Sequence, residues 1–293
     1  MDYVCDGNED KLAAACVDAD VILTAFSPLT LFVIGKLPRC RLISITATGF
    51  GNVDLEAAAS AGIRVCAIDE YCTDEVADHA VLLMLALSRR LTEYHEQVQT
   101  DKRWQFDSLQ GLSRMSDLTL GIVGFGKIGQ AVARRAKGFG LSILAFDPYP
   151  NEDVAASIGV RFCTLQEIYS SADIISLNCG LTGENDHLID TSAFQKMEQN
   201  PRLINCARGA LIDEDELEVA LDTGKILGAG LDVLNDEAPD LHSSSLTGRP
   251  NVILTPHVAF YSDASMLDNR RISTANVRYF LDGKDEDVRR YVQ

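Results

Sequence analysis

The chain has 293 residues, 46% of them hydrophobic and 24% charged, which suits two globular domains with real cores and excludes disorder as its main state. With 26 Lys plus Arg against 43 Asp plus Glu, the formal charge is −17. Such a chain is poorly made for holding nucleic-acid backbones, and an anionic substrate must be captured by a local positive site. The longest apolar run, residues 80–87, is far short of the roughly 20 residues a bilayer span needs.

The opening residues carry neither a basic start nor an apolar core, so no secretory signal is expected. Eight cysteines, at 5, 16, 40, 66, 72, 163, 179 and 206, never form a C-x-x-C pair, and several lie in apolar runs. That usage suits reduced, buried thiols of a cytoplasmic protein better than a disulfide frame or a zinc site. The histidines, at 79, 95, 187, 242 and 257, form no ligand-spaced pair, so no metal centre is expected.

In chain order, buried strands are expected at residues 20–25, 42–46, 120–123, 142–146, 174–177, 203–205 and 252–254. Helical patterns lie between most of them, an alternation that points to parallel α/β sheets. Two long helical stretches act as joints. One runs from Thr73, read as an N-cap ahead of Asp74 and Glu75, to about residue 100. The other starts after Ser262 and ends near Leu281, before Asp282 and Gly283. Between them is length for one complete dinucleotide-binding sheet. The expected plan is an outer substrate domain at 1–72 and 263–293, with a nucleotide-binding domain at 73–262 inserted into it.

Gly124, Gly126 and Gly129 form a G-x-G-x-x-G pattern that follows one expected strand and opens a helix. The first glycine suits a tight turn, the second close approach to a pyrophosphate, and the third close packing of helix on strand. A second strand then ends at Asp147, eighteen positions past Gly129. A carboxylate there accepts from both ribose hydroxyls of NAD and repels the 2′-phosphate of NADP. Asp147 read alone would only open a turn at Pro148; the ordered series favours NAD.

Arg208 ends the apolar run at 203–205, Glu237 lies in an acidic turn after a strand at 229–232, and His257 stands just past the strand at 252–254. Singly, Glu237 reads as a solvated loop acid and His257 as a satisfied histidine. Together, on successive strand ends, they supply what 2-oxo acid reduction requires: a fork for a carboxylate, a proton donor, and an acid to bias that donor.

The stretches ATGFGNVD at 47–54, CTDEVADH at 72–79, NCARG at 205–209, GAGLDV at 228–233 and TPH at 255–257, with the glycine fingerprint, make the chain resemble the NAD-dependent D-2-hydroxyacid dehydrogenases. That superfamily includes phosphoglycerate dehydrogenases, glyoxylate/hydroxypyruvate reductases and C-terminal-binding-protein corepressors. The resemblance implies an α/β fold, with a Rossmann domain inserted into a smaller flavodoxin-like substrate domain. It implies that Arg208, Glu237 and His257 are catalytic, and that Thr48, Gly49 and Arg208 hold the substrate carboxylate. Gly124, Gly126, Lys127, Ile128, Gly129, Asp147, Cys206, Asp232 and His257 would contact NAD, with Asp232 near the nicotinamide carboxamide. His257 would protonate the developing alkoxide while Glu237 keeps its imidazolium form available. A small anionic 2-oxo or 2-hydroxy acid is the expected partner, along with a second copy of the chain in a homodimer.

Family members usually carry Gly at Ala47, Asp at Gly51, His at Asn178 and Pro at Gly180, departures that bear on substrate geometry and loop order. Residues 24–28 hold no basic side chain, where the phosphoglycerate enzymes have arginines, so a small unphosphorylated acid is favoured: glyoxylate, hydroxypyruvate or a short 2-oxo acid. Residues 71–79 and 259–262 are similar to the corepressor branch. The alternative is thus an NADH-sensing binding protein with weak dehydrogenase activity. The family's outer domain opens with a strand and helix before the segment resembling Tyr3 to Asp6, so this outer domain is expected to be N-terminally shortened, either because the true start lies upstream of Met1 or because the domain is rearranged. With little positive charge in the chain, Arg208 and a few backbone amides are expected to capture the anion alone.

Overall fold

The computed structural model describes residues 8–292, so the expectation attached to Tyr3 to Asp6 lies outside the described residues. The chain divides into two compact units, Met1–Cys72 with Tyr261–Gln293, and Thr73–Phe260.

The smaller unit alternates α1 (Glu9–Cys16), β1 (Val21–Thr24), α2 (Leu31–Ile34), β2 (Leu42–Ile45), α3 (Leu55–Ser60) and β3 (Arg64–Ala67). Asn8, Thr30 and Asp54 each accept an amide of the helix they open, the usual way to satisfy a free helix N-terminus. The strands are parallel in the order β1-β2-β3, with Leu42 opposite both Val21 and Arg64. Central β2 is buried along its whole length. Residues 64–67 were not expected as a strand, because they begin with Arg64 and offer only a short apolar run. Arg64 points outward onto Tyr291, 3.8 Å from its ring, and pairs with Asp285. Tyr291 bridges antiparallel to Cys66, while Ala67 N donates to Arg290 O. Arg290 and Tyr291 are thereby fastened beside β3.

The larger unit holds α4 (Thr73–Ser88), α5 (Leu91–Gln99), β4 (Thr119–Val123), α6 (Lys127–Lys137), β5 (Ser142–Phe146), α7 (Glu152–Ile158) and β6 (Arg161–Phe162). It continues with α8 (Leu165–Ser171), β7 (Ile174–Leu177), α9 (Thr191–Lys196), β8 (Arg202–Asn205), α10 (Glu214–Asp222), β9 (Gly228–Leu231) and β10 (Val252–Leu254). Its seven strands are all parallel, in the order β10-β9-β8-β7-β4-β5-β6. This is the Rossmann order with one more strand at the far edge. The direction of winding reverses at β4, which puts the glycine fingerprint at the switch point.

The single helix expected from residue 73 to about 100 is two. Arg90 adopts a left-handed φ of +50° and ends the first ladder; its side chain forks onto Glu93 and reaches Gln110 O at 2.9 Å. Thr73 is the first helical residue rather than its cap. The last helix of the smaller unit, α11 (Asp263–Leu281), starts as expected, with Ser262 and Ser265 in a reciprocal capping box.

Candidate active site

In the larger unit the chemistry-bearing residues stand at the carboxyl ends of strands, where ligands bind in open parallel sheets. After β4, Gly124 has φ +91°, and a Cβ there would lie 2.6–2.8 Å from main-chain atoms of Asn178 and Cys179, so only glycine fits. A Cβ on Gly129 would lie 2.1 Å from Gly124 O; its absence lets α6 start hard against the strand. Gly126 opens α6 with no side-chain cap, and a Cβ there would meet nothing within 4 Å. The positive end of the helix, with the amides of Lys127 and Ile128 in its first turn, therefore faces open space fit for a pyrophosphate.

Asp147, past β5, takes Phe125 N on Oδ2 at 2.7 Å and Tyr149 N on Oδ1 at 2.8 Å. The first bond ties the acid to the fingerprint turn, and the second closes a turn at Pro148. Each oxygen keeps acceptor capacity for a ribose hydroxyl, and the negative charge opposes a 2′-phosphate. These residues fit NAD.

β8 ends at fully buried Asn205, whose amide donates to Arg208 O at 2.8 Å and whose carbonyl accepts Ala207 N at 2.9 Å. One asparagine thus winds the turn that presents Arg208. The half-buried arginine donates from Nη1 to Ala207 O at 2.6 Å, which leaves most of its fork for an anion. A Cβ on Gly209 would fall 2.0 Å from the Leu234 carbonyl. That close approach sets the Arg208 turn against the loop carrying Glu237.

His257 Nδ1 and Glu237 Oε2 are 2.7 Å apart, with side chains 28% and 61% exposed. With Nδ1 on the carboxylate, Nε2 is the nitrogen suited to exchange a proton with a ligand. His257 sits at φ +49° and edge-on to Phe260, ring centroids 5.9 Å apart. A left-handed φ at a non-glycine residue costs on the order of 1–3 kcal/mol and persists only where its surroundings impose it.

Here the imposing residue is Asp232, which is 1% exposed after β9. Oδ1 accepts from Thr255 Oγ1 and from Val258 N at 3.0 Å; Oδ2 accepts from Ala259 N at 2.9 Å; its main-chain O accepts His257 N at 2.8 Å. Most of its acceptor capacity is thus spent on the histidine turn. Beside it, burial and then the charge of Asp232 push the Cys206 thiol far up, so Cys206 is neutral at physiological pH.

Thr48 and Gly49 belong to the smaller unit, in the loop after β2. Three consecutive carbonyls of this loop are tied down: Thr46 O by Asn269 Nδ2 at 2.7 Å, Ala47 O by Ile68 N at 3.1 Å, and Thr48 O by Arg290 Nη1 at 3.3 Å. In a trans peptide the N–H points opposite to the C=O. The amides of Ala47, Thr48 and Gly49 are accordingly directed away from these anchors, and among the described residues they make no hydrogen bond. Amides without a partner can hold an anion where they converge.

Sequence reasoning missed Asn269 and Arg290, and it saw His79, Asn205 and Thr255 only as parts of a resemblance. Asn205 carried a signal, a polar residue closing an apolar strand. Arg290 carried none, because its value depends on a contact 242 positions away. It also places a cation on the loop of Thr48 and Gly49, where the sequence suggested backbone amides alone. Among the described residues no group of three His, Cys, Asp or Glu is placed to hold a metal, seven cysteines are free, and no helix is long and apolar enough to cross a membrane.

The family described as "D-isomer specific 2-hydroxyacid dehydrogenase, NAD binding domain" matches residues 81–259. The D-lactate dehydrogenase of Escherichia coli (strain K12) is 35% identical over 249 residues, covering 81% of this chain and 75% of that protein. The crystal structure of D-lactate dehydrogenase from Aquifex aeolicus, complexed with NAD and lactic acid, superposes with a TM-score of 0.89 at 32% identity, covering 96% of this chain and 88% of that one. A glyoxylate reductase from Paecilomyes thermophila gives a TM-score of 0.87 at 26% identity, covering 97% and 88%. Fingerprint, strand order and family match agree: the chain belongs to the D-2-hydroxyacid dehydrogenases, oxidoreductases that use NAD.

Proposed function

We propose that this enzyme interconverts a short, unphosphorylated D-2-hydroxy acid and its 2-oxo acid, of the pyruvate, glyoxylate or hydroxypyruvate type. The observation that carries the reading is the 2.7 Å pair of His257 and Glu237 on a strand end next to the Arg208 turn. NADH, when bound, supplies the hydride that adds to the ketone carbon. His257 Nε2 gives its proton to the oxygen that becomes the hydroxyl, and takes it back in the oxidative direction. Glu237 holds the ring by Nδ1, so that the reacting nitrogen is always the other one. Arg208 grips the carboxylate and polarises the carbonyl, and the amides of Thr48 and Gly49 hold carboxylate oxygens. Gly124, Gly126, Lys127, Ile128, Gly129 and Asp147 would hold the cofactor's pyrophosphate and ribose, and Cys206, Asp232 and His257 are assigned to its nicotinamide part. By this reading residues 73–262 are the NAD-binding domain, and 1–72 with 263–293 the substrate domain, while the boundary between the compact units falls between Phe260 and Tyr261.

The absence of a basic side chain in residues 24–28 argues against a phosphorylated substrate, and the named relatives act on lactate and glyoxylate. Free thiols suit a cytoplasmic enzyme. Trp104 and Phe106, about nine-tenths exposed after α5, supply apolar surface for the expected homodimer. The deciding experiment follows NADH and NADPH oxidation with pyruvate, glyoxylate, hydroxypyruvate, oxaloacetate and 3-phosphohydroxypyruvate. The expected result is turnover on the short monocarboxylic acids, with NADH preferred at least tenfold. Tight NADH binding with no turnover on any acid would replace the enzyme reading with that of an NADH sensor.

A further inference from the structure

His79 lies on α4, and none of the catalytic or cofactor roles above uses it. Its side chain is 16% exposed, its Nε2 is 2.9 Å from Thr255 Oγ1, and the same nitrogen is 3.6 Å from Asp232 Oδ1. The Thr255 hydroxyl has one proton, and that proton is given to Asp232. Toward His79 the hydroxyl can therefore only accept, which fixes the proton of the ring on Nε2. A directed chain results: His79 Nε2–H to Thr255 Oγ1–H to Asp232 Oδ1.

This chain ends on the carboxylate around which the histidine turn is wound. Within residues 255–259, Thr255, His257, Val258 and Ala259 all bond to Asp232, and only Pro256 does not. A carboxylate this buried depends on every donor it receives, and His79 Nε2 is the nearest basic nitrogen to it, at 3.6 Å. Donors in series also polarise one another. His79 is the only titratable member of the chain besides Asp232, and it brings α4 to bear on a turn formed by β9 and β10. If the carboxylate tilts, the amides of Val258 and Ala259 lose their acceptor, and the left-handed φ of His257 loses its support.

We propose that His79 is a positioning residue for His257, acting through Thr255 and Asp232. The proposal rests on His257 being the proton donor, but its physical core, the ordering of residues 255–259, is measurable without turnover. Replacing His79 by Leu removes the donor. It is expected to lower kcat for 2-oxo acid reduction about tenfold while KM for the acid changes less than about twofold, because carboxylate capture is untouched. His79→Gln places an amide N–H at similar reach and is expected to restore kcat to within about threefold of the parent. Thr255→Val breaks the same chain isosterically. Adding His79→Leu to it should cost nothing further, since both act on one path.

Amide hydrogen exchange on the full-length protein without substrate gives the second readout. Faster exchange at Val258 and Ala259 in His79→Leu, reversed in His79→Gln, supports the positioning role even if no 2-oxo acid is turned over. The role is overturned if exchange at these amides is unchanged, if Gln fails to restore it, or if His79→Leu and Thr255→Val prove additive. Absence of turnover in the parent protein, with exchange behaving as expected, would overturn the dehydrogenase assignment of this turn and leave the positioning role standing.

Discussion

The candidate residues of the two units are made of different materials. In the larger unit the expected contacts are side chains on strand ends, each locked by a neighbour: Arg208 by Asn205, His257 by Glu237 and the Asp232 turn. In the smaller unit they are main-chain amides left over once the carbonyls of residues 46–48 have been tied back. The difference bears on legibility and on fragility alike. A side chain can be deleted outright, whereas an amide can only be disordered by loosening what holds its carbonyl. Substitutions of the His257–Glu237 pair in the larger unit should therefore act mainly on kcat, and those behind the amide loop of the smaller unit mainly on KM.

The hardest test of the contrast is His257→Ala. Removal of a general acid costs about 10²–10⁴ in rate, and a fall of about 10³ in kcat is expected, with KM for the acid within about threefold and NADH binding retained. A variant that kept a tenth of the parent kcat would remove His257 from the proton path. Glu237→Gln comes next. At 61% exposure this contact adds little to stability, so the melting temperature should move by no more than about 2 °C. Because the amide can still meet Nδ1 but carries no charge, kcat should fall about 10- to 100-fold. A large loss of melting temperature with unchanged kcat would make Glu237 a structural residue instead.

What the sequence made visible follows the same division. The glycines at 124 and 129 were readable because steric demand leaves no alternative residue at those positions. Arg208, Glu237 and His257 stand out as candidates in the sequence because their chemistry is carried on the side chain and each follows an apolar run. The break at Arg90 was not, since a left-handed residue inside a helical pattern is imposed by tertiary partners such as Gln110 O rather than by propensity. Strand β6, two residues long, is too short for periodicity to register. The amide loop was located only through resemblance. Amides are present at every residue, and nothing local marks the few whose carbonyls are held from Asn269, 223 positions away, and from Arg290.

Arg290→Leu is the gentlest prediction and the one that probes the amide half directly. The guanidinium makes a single 3.3 Å bond to Thr48 O and lies 5.3 Å from the Phe50 ring. It sits on the carbonyl side of the Thr48–Gly49 peptide, opposite to the N–H, so it supports the loop from behind. A charged donor on that carbonyl aligns the peptide dipole and adds positive potential to a chain of net charge −17. A hydrogen bond of this kind is worth about 1 kcal/mol net, so KM for the 2-oxo acid should rise about fivefold while kcat stays within about twofold. Arg290→Lys, which keeps the charge but not the planar fork, should fall between the two. The KM effect should also shrink at high salt if long-range charge carries it, and persist if the peptide geometry does. A fall in kcat with unchanged KM would mean that this loop does more than capture the carboxylate, and the contrast between the two units would then fail.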